Sequence, residues 1–361
     1  MNNSSLYTSR RQRKDQHLAY ASNVYPGEAD FSEVELVHNC LPETEWSEVQ
    51  LRTSLAGMSL PSPLFINAIT GGTEEALRVN RSLARVARKG GFAMAVGSQK
   101  VGLGDPEAAS SFEVVRRFNP AGVIWANLGY YADVETARRA IDMIGADGIQ
   151  IHLNIPQELA MGEGDTSFKG ILEGISELCR DLKVPVMVKE VGFGLSQEQS
   201  RLLQEAGVKA LDVGGRGGTN FLQVENWRHK GNFKLPFQEW GIPTPISLIE
   251  TLSAVKGKVD VMSSGGIHGS LEIGKSLALG AKTVGIAGMA LRILEKYGEK
   301  ALFLRLKRLE RELRTIMLMT GSADLQKFSR SPVVVTGYTA EWLRRRGIDV
   351  DVLARQGRFA G

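Results

Sequence analysis

The sequence predicts an α/β protein, a (β/α)8 TIM barrel with an N-terminal extension and a C-terminal helical segment. Three observations carry that expectation. Eight short apolar runs recur along the chain, most of the gaps between them read as amphipathic helices, and the runs close on glycine or small polar residues. Near-continuous apolar strands alternating with helices imply parallel strands covered on both faces. Eight such units point to a closed barrel, with an open doubly wound sheet as the alternative.

Residues 1–62 lack this rhythm. They are polar, broken by Pro26, Pro42 and Pro61, and read as an arm and extension. The barrel is expected over 63–298. Its runs are PLFINAIT from Pro63, FAMAVGSQ from Phe92, VIWANLG from Val123, GIQIHLN from Gly148, PVMVKEVG from Pro185, ALDVGGRGG from Ala210, DVMSSGGI from Asp260 and TVGIAG from Thr283. Between the first two, EEALRVNRSLARVARKGG places Leu77, Leu83, Val86 and Ala87 near one helical face and stops at Gly90-Gly91. The stretch 218–245, with Trp227 and Trp240, is too long for an ordinary loop and reads as a lid. In 299–361, Leu302, Leu306, Leu309, Leu313 and Ile316 form one apolar stripe, expected to pack on the barrel rather than on a partner helix.

Composition narrows the function classes. With 361 residues, 43% hydrophobic and 23% charged, the chain can bury a large core. Its net charge of +4 is uneven: from Arg292 onward there are 15 basic and 8 acidic residues, against 29 and 32 in the remainder. The basic excess belongs to the tail, and no nucleic-acid pattern accompanies it. Two cysteines without CxxC spacing exclude a disulfide scaffold and a thiolate zinc site. No apolar core marks the first residues as a secretory leader, and no apolar run approaches about 18 residues, so a cytoplasmic protein outside the membrane is expected.

In barrels of this kind chemistry sits at the C-terminal strand ends. Those ends carry Thr70-Gly71-Gly72, Ser98-Gln99-Lys100, Asn127, then His152, Asn154, Gln157 and Glu158, then Lys189-Glu190, Gly214 through Asn220, Gly265-Gly266 and Ala287-Gly288. Glycine pairs can merely make turns. At the ends of strands six, seven and eight, with Thr219 beside them, they also let backbone N–H groups approach a phosphate. Lys189, inside a buried strand, needs a partner or a place at the barrel mouth. It is either paired to a glutamate or set beside an electron-rich cofactor ring, for which a flavin mononucleotide is the candidate. Glu158 offers one carboxylate, too little for an all-protein metal cage but suited to Mg²⁺ shared with substrate phosphates.

The ordered set RKDQH (Arg13–His17), INAITGG (Ile66–Gly72), VGSQ (Val96–Gln99), HLNIPQE (His152–Glu158), KEVGFG (Lys189–Gly194), GRGGTNF (Gly215–Phe221), SSGGI from Ser263 and GIAG from Gly285 resembles type 2 isopentenyl diphosphate isomerase, the flavin-dependent form. The likeness runs from Arg13 to about Asp349. It implies conversion of isopentenyl diphosphate to dimethylallyl diphosphate with FMN, Mg²⁺ and NADPH, the last only as flavin reductant, in a homo-oligomer, a tetramer or octamer. It implies catalytic roles for Gln157, His152, Lys189 and Glu225, and Glu158 as the Mg²⁺ ligand. Arg13, Lys14, His17, Ser98, Lys100, Asn154 and Gln157 become substrate contacts. Ala68, Ile69, Thr70, Gly71, Ser98, Asn127, Lys189, Gly214, Thr219, Gly265, Gly266, Ile267, Ala287 and Gly288 become FMN contacts.

Two positions depart from the family pattern: Lys100 stands where Arg is expected, and Gly214 where relatives often have Ser. FMN-dependent 2-hydroxy-acid oxidases share the GGR of strand six but place a catalytic His just before it; here Asp212-Val213-Gly214 precede. That enzyme class, and a non-catalytic flavin-binding barrel, are the rival readings.

Overall fold

The computed structural model describes residues 27–161, 164–228 and 237–356. Eight parallel strands close into a barrel: β1 Leu64–Ile66, β2 Ala93–Ala95, β3 Ile124–Gly129, β4 Gly148–Leu153, β5 Val186–Glu190, β6 Ala210–Asp212, β7 Asp260–Ser263 and β8 Thr283–Ile286. Each falls within one of the eight apolar runs, and β8 pairs with β1 to complete the ring. The open-sheet alternative is thereby excluded.

The helices in chain order are α1 Glu74–Gly90, α2 Pro106–Phe118, α3 Val134–Ile144, α4 Ile155–Ala160, α5 Ile171–Asp181, α6 Gln197–Glu205, α7 Phe221–Arg228, α8 Thr244–Val255, α9 Ser270–Leu279, α10 Gly288–Met319, α11 Leu325–Phe328, α12 Gly337–Arg345 and α13 Asp351–Gln356. Local chemistry sets their ends. Thr73 caps α1, its side chain accepting from Ala76 N–H, and Gly91 ends that helix in the left-handed region at φ 70°. Helix α10 breaks at Gly298 (φ 81°), so its second half starts at Glu299, as the apolar stripe predicts. Leu302, Leu306, Leu309, Leu313 and Ile316 are buried on the barrel's outer layer, where a Cβ at Gly274 of α9 would meet Ile316 at 3.1 Å.

The core has two main parts, beside a small cluster of Ala160, Phe193 and Leu222. The larger lies between the strands and their helices. The smaller fills the barrel with inward side chains, including Phe65, Ala93, Ala95, Trp125, Met187, Ala210 and Met262. A Cβ at Gly148 would lie 2.6 Å from the Trp125 ring, so glycine there makes room for the indole. A hairpin, Thr53–Leu55 with Met58–Leu60, closes the N-terminal end by burying Leu55 and Leu60 against this layer. Positive φ at Ala56 and Gly57 forms its turn, and Ala56 N–H donates to Asp260 at 2.8 Å. Outside the barrel, Val34–Leu36 pairs antiparallel with Val333–Val335, so the extension and the tail hold each other.

Candidate active site

Toward the C-terminal strand ends the barrel interior changes from apolar to polar. Side chains alternate along a strand, so the positions two beyond Phe65, Trp125, Met187, Ala210 and Met262 also face inward: Asn67, Asn127, Lys189, Asp212 and Ser264. Strand register sets Asn127 opposite Gln150, and Lys189 opposite both His152 and Asp212.

These groups bond in sequence. His152 Nδ1 lies 2.9 Å from Asn127 Oδ1. Asn127 Nδ2 donates to Gln150 Oε1 at 3.0 Å, and Gln150 Nε2 donates to Asn67 Oδ1 at 3.1 Å. Asn67 Nδ2 donates to Asp212 Oδ2 at 2.7 Å, while Ser264 donates to Asp212 Oδ1 at 2.5 Å. Lys189 Nζ lies 3.8 Å from Asp212 Oδ2 and donates to the Glu190 carbonyl at 2.7 Å. Its acidic partner is therefore an aspartate on the next strand, not a glutamate. Asn67, Gln150, Asp212 and Ser264 complete the site beyond the strand-end residues that the sequence marks; their signal is a polar residue inside an apolar strand.

Beyond β4, helix α4 carries a second group. Gln157 Nε2 donates to Glu225 Oε1 at 2.9 Å, and Glu225 Oε2 pairs with Arg228 of α7. Glu225 is wholly buried. Asn154 Nδ2 donates to Glu158 Oε1 at 2.8 Å, and Asp165 N–H donates to Oε2 at 3.1 Å. Asp165 also accepts from the Tyr130 hydroxyl, whose pKa is raised by burial and then by the Asp165 and Glu158 charges. Lys100 Nζ stands 3.5 Å over the Tyr131 ring.

The strand-end glycines are required by close backbone approach. A Cβ at Gly265 (φ 109°) would sit 2.2 Å from Gly215 O, and one at Gly266 (φ 79°) 2.0 Å from Gly217 O. The loops after β6 and β7 thus lie backbone to backbone, with Thr219 at their end, Ile267 buried beside them, and Ala287 capping Gly288 at the start of α10. Gly97 N–H donates to Thr70 O at 2.9 Å, drawing the ends of β1 and β2, with Ala68, Ile69 and Ser98, into one ledge. Gly71 has a packing role as well, since a Cβ there would fall 1.9 Å from the Phe112 ring. Gly214 (φ 44°) leaves no space for the family's Ser: its Cβ would be 2.0 Å from Glu190 O. Glu190 itself is buried, its carboxylate accepting from Val191 and Phe193 N–H, and burial pushes its pKa up to about 7.

This arrangement fits FMN: glycine backbone and a helix N-terminus for a phosphate, and a buried cation with amides for a ring. It also fits Mg²⁺ on one carboxylate. Among the described residues no group of three or more His, Cys, Asp or Glu could hold a metal, so a cation at Glu158 would take its other ligands from water and substrate. Asn154 Oδ1, buried and without a donor among the described residues, is placed to accept from such a water. Arg13, Lys14 and His17 lie outside the described residues. No helix among those described is long and apolar enough to cross a membrane.

Comparison with known proteins agrees with this geometry. Residues 162–335 match the FMN-dependent dehydrogenase family. A mandelate oxidase structure superposes with a TM-score of 0.63, covering 91% of this chain and 99% of that one at 18% identity, which is a likeness of fold. An isopentenyl-diphosphate delta-isomerase of a Geobacillus species is 44% identical over 346 residues, 95% of this chain and 99% of the relative. That of Symbiobacterium thermophilum is 44% identical over 358 residues, 96% and 98% respectively. Fold and site define the class, an α/β-barrel enzyme built like the FMN-dependent dehydrogenases. Within it, the chain belongs to the isopentenyl-diphosphate delta-isomerase family.

Proposed function

We propose that this chain converts isopentenyl diphosphate to dimethylallyl diphosphate with FMN and Mg²⁺ bound, NADPH serving only to reduce the flavin. Moving the double bond requires a proton lost at one carbon and gained at another, without net redox change. Reduced FMN, when bound, supplies that acid–base chemistry. Lys189 holds positive charge beside the ring and favours its reduced, anionic form. Asn127, Thr70, Ser98 and Thr219 offer hydrogen bonds to the cofactor, and Gly265, Gly266 and Gly288 leave backbone room for its phosphate. Glu158 holds Mg²⁺ against the diphosphate. Gln157, fixed by Glu225, and Asn154 orient the substrate, which supplies the entropic part of catalysis. Arg13, Lys14 and His17 bind the diphosphate from the N-terminal arm.

What supports this reading is one juxtaposition: a buried Lys189–Asp212 pair beneath glycine-lined loops, in the same barrel mouth as Gln157 and the single carboxylate of Glu158. The test is an anaerobic assay of the purified chain with NADPH, Mg²⁺ and isopentenyl diphosphate. Dimethylallyl diphosphate should accumulate with only catalytic consumption of NADPH. Oxidation of a 2-hydroxy acid, with no isomerisation, would overturn the proposal in favour of the oxidase class.

A further inference from the structure

The bonded series across the barrel interior has a direction. Asp212 fixes one end, because both of its oxygens face donors: Ser264 Oγ and Gly214 N–H at Oδ1, Asn67 Nδ2 and Lys189 Nζ at Oδ2. The Asn67 amide is anchored a second time. Backbone Ala68 N–H donates to Asn67 Oδ1 at 2.9 Å, and a backbone N–H has no alternative role. Asn67 therefore presents an oxygen to Gln150, which must donate its Nε2. Gln150 then has its oxygen toward Asn127, which must donate its Nδ2. Asn127 is left with its oxygen toward His152 Nδ1, 2.9 Å away, and that nitrogen must carry the proton.

We infer that Asn67 and Asp212 are positioning residues which, through Gln150 and Asn127, hold His152 in its Nδ1–H tautomer. The carboxylate thus sets the protonation pattern of an imidazole on a different strand without touching it. When the ring is neutral, Nε2 is its hydrogen-bond acceptor. Water favours the opposite tautomer for a free imidazole, so the preference must come from this series. All intermediate members are buried, so water does not readily substitute for a missing partner. The consequence for turnover rests on the isomerase reading; the tautomer itself does not.

The experiment is nitrogen NMR of the flavin-bound protein, labelled at its histidines, with the His152 signals assigned by their loss in His152→Gln. The wild-type ring should show a protonated Nδ1. Gln150→Met and Asn67→Leu each interrupt the series and should shift the ring toward the Nε2–H form. Asn67→Asp, which as a neutral acid can still donate to Asp212 and accept from Gln150, should keep the wild-type pattern. Bound FMN reports whether each variant is folded, and the wild-type spectrum alone is decisive if a variant is not. On isopentenyl diphosphate, the interrupting variants should lose about tenfold in kcat with KM little changed. A wild-type ring protonated at Nε2, or signals unmoved in a folded interrupting variant, would overturn the inference. A wild type with the expected tautomer but no isomerisation would instead count against the proposed reaction.

Discussion

Gln157 and Glu225, 68 residues apart in sequence, are joined by a 2.9 Å hydrogen bond between buried side chains. This contact ties α4, just beyond β4, to α7 in the segment after β6. The acceptor is wholly buried and also paired to Arg228, so the bond fixes both the Gln157 amide and the inner face of α7. Glu225→Ala takes a wholly buried carboxylate from the partly buried Arg228 and an amide together. It should cost about 3 kcal/mol of stability and raise KM for isopentenyl diphosphate. Thermal unfolding and steady-state kinetics measure the two effects; an unaltered KM would show that the contact does not serve the site.

Glu158→Gln removes the carboxylate charge and keeps one of the two oxygens that Asn154 Nδ2 and Asp165 N–H bond separately. Activity should collapse and its Mg²⁺ dependence should shift to much higher concentration. The flavin spectrum should persist, because Glu158 belongs to the α4 group and not to the glycine loops. A variant with wild-type Mg²⁺ dependence would remove Glu158 from the metal.

Stability should depend on pH through Glu190. Burial raises its folded pKa to about 7 from an ordinary 4.5. The folded state therefore holds the proton more tightly than the unfolded chain. This contribution is complete below the unfolded pKa and is lost as pH rises through the folded one, in total of order 3 kcal/mol. Glu190→Gln retains an oxygen for Val191 and Phe193 N–H but does not titrate. Between pH 5 and 8, wild-type stability should fall relative to this variant; parallel curves would contradict the assignment.

Gly214→Ser restores the residue expected from the family pattern, yet it should destabilise. Positive φ costs about 1–3 kcal/mol for a residue with a Cβ, and the atom would also meet the Glu190 carbonyl, which holds Lys189. Flavin content and thermal stability should both drop, and Gly214→Ala should behave alike, since the clash is at Cβ. Full flavin occupancy in the Ser variant would show that the loop adapts.

Much of this is legible in the sequence alone. The strand-end residues Thr70, Asn127, His152 and Lys189 could be singled out because each ends or interrupts an apolar run. Asn67, Gln150 and Asp212 stand in those same runs with the same signal, and a polar residue within a run does not by itself say which group it faces. Their importance depends on which side chains face each other: Asn67 and Asp212 are separated by 145 residues and meet only once the barrel closes. Lys189 shows the same limit. Its burial calls for a partner, for which the sequence offers either a glutamate or a cofactor ring, and the β5–β6 register supplies Asp212.

The sequence by itself determined the eight strand–helix units, their order and the polar character of their C-terminal ends. Those features are local: apolar periodicity, helix caps and glycine stops act within a few residues and need no partner. Only the tertiary structure decided which polar groups share protons, why Gly214 and Gly266 cannot carry a side chain, and which acid Lys189 faces. These are settled by barrel closure and strand register, which bring distant backbones within van der Waals contact and leave each buried donor one acceptor to find.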